Sequence, residues 1–161
     1  MNEWVRAVSR ATVAAVAALC AGCMRAPLYK EPATGGWATI SFEEIPKVGM
    51  LYTFESAADC KGKQYVPHGQ GLPYSQVRIP AGTAMTLWVQ SDIAGSYARA
   101  EWCDAMFTFT PQPGEMYLLH AATQSSHCLY SLSDASGRPV LIQNRSTKVP
   151  ISDAGSWCSS E

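Results

Sequence analysis

The side chains best able to do chemistry in this 161-residue chain are six cysteines, three histidines and a few acidic pairs. Cys60, Cys103, Cys128 and Cys158 are an even set of four, and in an oxidising compartment such a set in a small domain forms two disulfides. Zinc would draw on His68, His120 or His127 with the same sulfurs. No C-x-x-C or H-x-x-x-H spacing occurs, and oxidation removes the thiolates, so no metal is expected. His127 beside Cys128 does not make an activated thiol, because adjacent strand residues point to opposite faces. Glu43-Glu44 and Glu101 with Asp104 could in principle exchange protons with a substrate, but neither pair has a Gly-rich or aromatic pocket signature nearby, and both read as solvated edges. Nucleophile elbow, phosphate loop, dinucleotide fingerprint and Ser-x-x-Lys are all absent. No catalytic residue and no cofactor is therefore expected, and the chain reads as a non-enzyme.

Recognition chemistry is better represented. Trp37, Trp88, Trp102 and Trp157, with Tyr52, Tyr65, Tyr74, Tyr97, Tyr117 and Tyr130, can pack a core, stack on sugars or form a protein-binding patch. Trp88 stands out because alternation sets it opposite Met85, Leu87 and Val89. The irregular stretch from Tyr65 through His68 to Tyr74 is the longest in the domain, and long loops concentrate binding. Trp88, Tyr65, His68 and Tyr74 are thus the candidate binding surface. Charge is nearly balanced, 12 basic against 13 acidic residues, without a basic cluster. Nucleic acid is an unsuitable partner, since phosphate binding needs clustered positive charge.

The elements that must position these groups are strands. Short runs rich in aromatic and β-branched residues alternate with Gly, Pro, Ser and Asp, and helical periodicity is nearly absent. Strands are expected over 37–42, 49–55, 76–79, 84–90, 102–110, 116–122, 128–133 and 140–143. Cys103, Ala105, Phe107 and Phe109 share a face, Pro111-Gln-Pro-Gly114 turns the chain, and Met116–His120 would return as the second arm of a hairpin. Asp134-Ala-Ser-Gly137 reads as another turn. Seven or eight such strands predict an all-β domain, an antiparallel sandwich of immunoglobulin or transthyretin type or a small barrel. The hairpin places Cys103 and Cys128 near the outer ends of neighbouring strands, so they are expected to pair, leaving Cys60 for Cys158.

Before the domain, Arg6 and Arg10 precede the uncharged run Ala11–Gly22, too short to span a membrane. This is the pattern of a cleavable export signal. Small residues then lead into a cysteine, and Leu19-Cys20-Ala21-Gly22-Cys23 resembles the lipobox of bacterial lipoproteins, in which the Cys after Ala-Gly becomes the acylated N-terminus. Cys20 stands where that family usually has an aliphatic residue, which leaves cleavage nearby without lipid as the alternative. The resemblance implies lipidation at Cys23. Met24, rather than Asp, after that cysteine is similar to the pattern sorted to the outer membrane. Residues 24–36, with two prolines and two adjacent glycines, read as a flexible tether, giving a signal at 1–22, a lipid-anchored tether at 23–36 and a stapled β domain at 37–161.

Cys103, then Phe109-Thr-Pro-Gln-Pro-Gly-Glu-Met-Tyr117, then Cys128 and the Asp134-x-x-Gly137 turn resemble a pattern of small Gram-negative lipoproteins of unknown function. That resemblance covers a minor part of the chain and implies an envelope location and a β-rich fold without assigning a catalytic residue. The expected activity is binding within an envelope assembly, at the periplasmic face of the outer membrane, with the membrane held through the lipid and an envelope protein as partner. An inhibitor or immunity-type protein directed at a cell-wall or secreted hydrolase is the alternative, and a hydrolase in its own right a third.

Overall fold

In the computed structural model residues 26–42, 50–67, 76–93, 101–124, 127–151 and 155–159 are described, by backbone only at 91–93, 101–103, 121–124 and 127–128. The strands are β1 (Trp37–Ser41), β2 (Met50–Ser56), β3 (Lys61–Tyr65), β4 (Gln76–Pro80), β5 (Met85–Ile93), β6 (Glu101–Phe109), β7 (Met116–Gln124), β8 (His127–Asp134) and β9 (Gln143–Arg145). They form two sheets, ordered β4-β1-β7-β8 and β3-β2-β5-β6-β9. The sheets do not close on each other, so the sandwich is the architecture and the barrel is not. All pairings are antiparallel except β1 with β7, which run parallel with Ile40 opposite Tyr117.

Alternation decides what each strand buries. Met85, Leu87 and Val89 of β5 face the space between the sheets and meet Ile40, Leu51, Ile79, Phe107, Phe109, Tyr117, Leu119 and Leu132 there. Phe107 and Leu119 are essentially solvent-free, and truncating a Phe in such a site costs about 3–5 kcal/mol. The opposite face of β5 carries Thr86 and Trp88, and these are buried as well. Thr86 donates to the Ala57 carbonyl at 2.9 Å and shares a hydrogen bond with Thr108 at 2.6 Å, which satisfies its hydroxyl out of water.

Two connections differ from expectation. The Pro111–Gly114 turn does not close a hairpin: β6 belongs to the five-stranded sheet and β7 to the four-stranded one, so the turn carries the chain across the sandwich. The Gly114 N–H donates to the Trp37 carbonyl at 2.8 Å and Thr39 N–H to Glu115 at 2.9 Å, which draws β7 onto β1 instead of β6. Among the described residues the hairpins that form are β2–β3, β5–β6 and β7–β8. Cys103 and Cys128 consequently sit on strands of different sheets; their side chains lie outside the described residues. β3, read in the sequence as connection, is a strand: Lys61-Gly62-Lys63-Gln64 has no apolar alternation because neither of its faces is fully buried, and lysines suit an edge that must not pair with other chains.

The expected tether also shortens. Tyr65 N–H donates to the Pro27 carbonyl, and Tyr29 N–H to the Tyr65 carbonyl, each at 2.8 Å, so residues 27–29 run as a bridge beside β3. The Tyr29 phenol donates to the Arg78 carbonyl at 2.9 Å on β4 of the other sheet. Glu31 accepts from the Arg78 backbone N–H at 3.0 Å and from its Nε at 2.9 Å. Partial burial beside the Glu31 carboxylate pushes the Tyr29 phenol up to about 12. Residues 27–31 thereby close one side of the sandwich, a role composition alone does not announce.

Candidate functional site

Chemistry-bearing residues gather along the C-terminal segment that follows β8. It begins with the Asp134–Gly137 turn, where Gly137 takes φ 81°, a backbone state open to glycine. The Asp134 carboxylate accepts from the Ser136 hydroxyl at 2.6 Å and N–H at 2.9 Å, and from the Arg138 N–H at 3.0 Å and Nε at 2.8 Å. These donors, the Ser136 hydroxyl foremost, hold its pKa down at about 2. A carboxylate so engaged stays ionised near neutrality and is no general acid.

From Arg138 the chain adds to the β8 edge, Asp134 N–H donating to Arg138 and Val140 N–H to Leu132, then crosses to β9 on the other sheet. That crossing borders an open cleft of about 820 Å³. Phe109, Tyr117 and Val140 give it an apolar lining, Thr108, Thr110, Gln112 and Gln143 polar groups, and Glu115, Asp134 and Arg138 its charges, of which Asp134 and Arg138 are paired with each other. The Tyr117 hydroxyl accepts from the Gln112 N–H at 2.8 Å, which fixes the ring. Such a lining suits an extended chain with both apolar and polar side chains.

Beyond β9 the segment becomes a strap across the outer face of the five-stranded sheet. Lys148 N–H donates to Trp157 O at 2.8 Å, Trp157 N–H to Cys60 O at 3.1 Å, and the Cys60–Cys158 disulfide ties the strap to the β2–β3 turn. Under it lies a second apolar cluster: Phe54, Cys60, Trp88, Met106, Trp157 and Cys158, flanked by Tyr52. Arg145 donates through Nη2 to Ala58 O at 2.7 Å and to Cys158 Sγ at 3.2 Å, stitching β9 to the same corner.

Trp88, expected as an exposed binding residue, is 8% exposed. Alternation does turn it away from the inter-sheet core, but Trp157 covers it at 5.5 Å between ring centroids and its Nε1 donates to Asp104 at 3.2 Å. Tyr52 joins it at 5.4 Å and Tyr65 adjoins Tyr52 at 5.8 Å, so the structure connects Trp88 and Tyr65 through a row of rings. The Lys63 ammonium lies 3.4 Å from the Trp157 ring centre, 5.0 Å from Tyr52 and 5.6 Å from Trp88. A cage of this kind binds cations, and here it holds the chain's own lysine, acting as a clasp. The Lys61-Gly62-Lys63 pattern placed that ammonium on the outer face of β3, a signal the sequence carried once β3 is recognised as a strand.

His68 and Tyr74 lie outside the described residues, as do Cys23, Glu43 and Glu44. His120 is on β7, its Nε2 3.0 Å from the Ser133 hydroxyl. Among the described residues no three His, Cys, Asp or Glu side chains are grouped for a metal.

The apolar exposure of this C-terminal segment is the unforeseen feature. Leu141 is 93% exposed, Val149 83%, and Ile151 fully so. Single exposed apolar side chains are ordinary; here Leu141 lines the open cleft just before β9 and Val149 and Ile151 lie on the strap after it, so one C-terminal segment presents three apolar groups to solvent. No family model matches the chain, and no curated protein or solved structure matches it either.

Proposed function

We propose that the chain is an exported envelope lipoprotein, anchored through Cys23 at the periplasmic face of the outer membrane, that works by binding another envelope protein. The carrying observation is the exposure of Leu141 at the cleft and of Val149 and Ile151 on the strap, one C-terminal segment held by β9 pairing and by the Cys60–Cys158 bridge. Apolar groups presented on a cross-linked element lose little further freedom on association, so more of their burial appears as affinity. The adjacent cleft, with Glu115 and Arg138 at its walls, supplies polar selectivity. Support for export comes from the leader and the lipobox-like Leu19–Cys23 stretch.

Affinity capture from solubilised membranes tests the reading, comparing wild type with Leu141→Asp combined with Ile151→Asp. Both positions are solvated, so the variant keeps its melting temperature; an envelope protein recovered with wild type and lost with the variant is the expected result. A capture list unchanged by the double substitution refutes this segment as the docking surface. If the recovered partner is a hydrolase whose activity falls on binding, the inhibitor reading replaces the assembly one. Palmitate labelling of wild type but not Cys23→Ser checks the anchor independently.

A further inference from the structure

We infer that the β3 edge of the sandwich, with Leu28 and Lys30 at its rim, rests against the headgroups of the bilayer that carries the anchor. This rests on the proposed lipidation of Cys23 and asks where the domain then sits. Among the described residues the last docked toward the N-terminus is Pro27, whose carbonyl is held by Tyr65 of β3 at 2.8 Å. Whatever path the chain takes before it, four peptide steps from Cys23 reach at most about 14 Å. A free linker through Gly36 would reach several times as far.

The acylated cysteine itself lies at headgroup depth, and the headgroup zone on each side of the hydrocarbon is some 5–7 Å thick. Pro27 therefore stands no more than about 14 Å from the anchored sulfur, within that zone or up to roughly twice its thickness from it. The five-stranded sheet spans about 19 Å from β3 to β9, four inter-strand spacings, so a domain fastened by its β3 edge brings that edge to the lipid and leaves the β9 side in the aqueous space. The edge is suited to that position. Its backbone donors and acceptors are partly taken up by residues 27–29, Leu28 is 62% exposed, and Lys30 and Lys61 offer ammonium groups, with Lys61 paired to Asp59 at 2.8 Å. The opposite side carries β9 and the cleft with Leu141, so this pose points that part of the proposed docking surface away from the membrane, while the strap runs back to Cys60 beside β3.

The test uses the lipidated protein in vesicles of phosphatidylethanolamine and phosphatidylglycerol containing a headgroup nitroxide lipid. A small fluorophore is placed through a non-natural residue at position 28 or at position 141, both solvated, so that folding is undisturbed. Quenching at 28 several-fold stronger than at 141 is expected, and inserting a Gly-Ser linker of about a dozen residues between Arg25 and Ala26 should bring the two values together. Equal quenching in the uninserted, palmitate-bearing protein overturns the pose while leaving the anchor intact. Wild type that takes up no palmitate overturns the anchor, and the pose with it.

Discussion

Cutting the Cys60–Cys158 bridge is the perturbation whose size the structure lets one work out. The two cysteines are 98 residues apart in sequence, and a cross-link closing a loop of about 100 residues stabilises by about 4.7 kcal/mol in the chain-entropy account. An unfolding entropy near 2.1 cal/mol/K per residue gives about 0.27 kcal/mol/K for a domain of roughly 130 residues, so the loss corresponds to about 17 °C in Tm. Cys60 also sits at φ 48°, where a β-carbon is strained. Cys60→Gly with Cys158→Ala should therefore melt slightly above Cys60→Ala with Cys158→Ala. The assay is thermal unfolding by circular dichroism on both double variants, after a non-reducing peptide map of wild type. That map is expected to recover Cys60 linked to Cys158 and, as proposed for the other two, Cys103 linked to Cys128. A fall in Tm below about 3 °C would refute the reasoning, because the strap would then be held by its packing alone.

Two further predictions follow from the same corner and from the turn at its start. Trp157 Nε1 is buried without an acceptor among the described residues, so Trp157→Phe is expected to cost under about 1.5 kcal/mol and Trp157→Ala about 3–5 kcal/mol by urea midpoint; equal costs would mean that the indole nitrogen matters through a contact not seen. Asp134 has a folded pKa near 2, below its unfolded value. Its stabilisation is complete above the unfolded pKa and lost as pH falls from about 4 through about 2. Asp134→Asn should remove that part of the acid dependence, measured as the wild-type minus variant difference in urea midpoint across this window; subtracting cancels Asp59, also lowered by Lys61 and Ser56. A difference constant with pH would show that the turn does not depend on the charge.

What was legible in the sequence, and what was not, divides along local and non-local lines. The period of two in Met85–Gln90 and the shared face of Phe107 and Phe109 were readable because a strand's neighbours determine its faces, and all lie where alternation puts them. Trp88 shows the limit of that reading. Alternation sorts side chains into two faces but does not say whether the second meets water, and here a strap from residues 143–159 covers it. The Cys60–Cys158 pair was expected, yet by elimination from a β6–β7 hairpin that does not form. One proline-rich turn can join two strands of a sheet or carry the chain between sheets, and what decides is a pairing with β1, about seventy residues earlier in the chain.

Among the edge strands β3 was the least legible, whereas β4 shows its alternation in Val77 and Ile79. A strand with neither face fully buried needs no apolar pattern, so Lys61–Tyr65 reads as a loop, and a segment lying beside such a strand needs only backbone hydrogen bonds and one or two side-chain contacts, so Pro27–Glu31 reads as a linker. Both were hidden by the same lack of hydrophobic demand, and both bear on function through position instead of chemistry. Pro27–Glu31 sets how far the domain can stand from Cys23, while Lys63, two residues along β3 from Lys61, is the cation that clasps Trp157 under the strap. The edge that would face the lipid and the cluster that holds the strap in place are therefore joined through a single five-residue strand. A substitution that unpairs β3 should loosen the strap and lengthen the leash together, whereas substitutions on β9 should affect the strap alone.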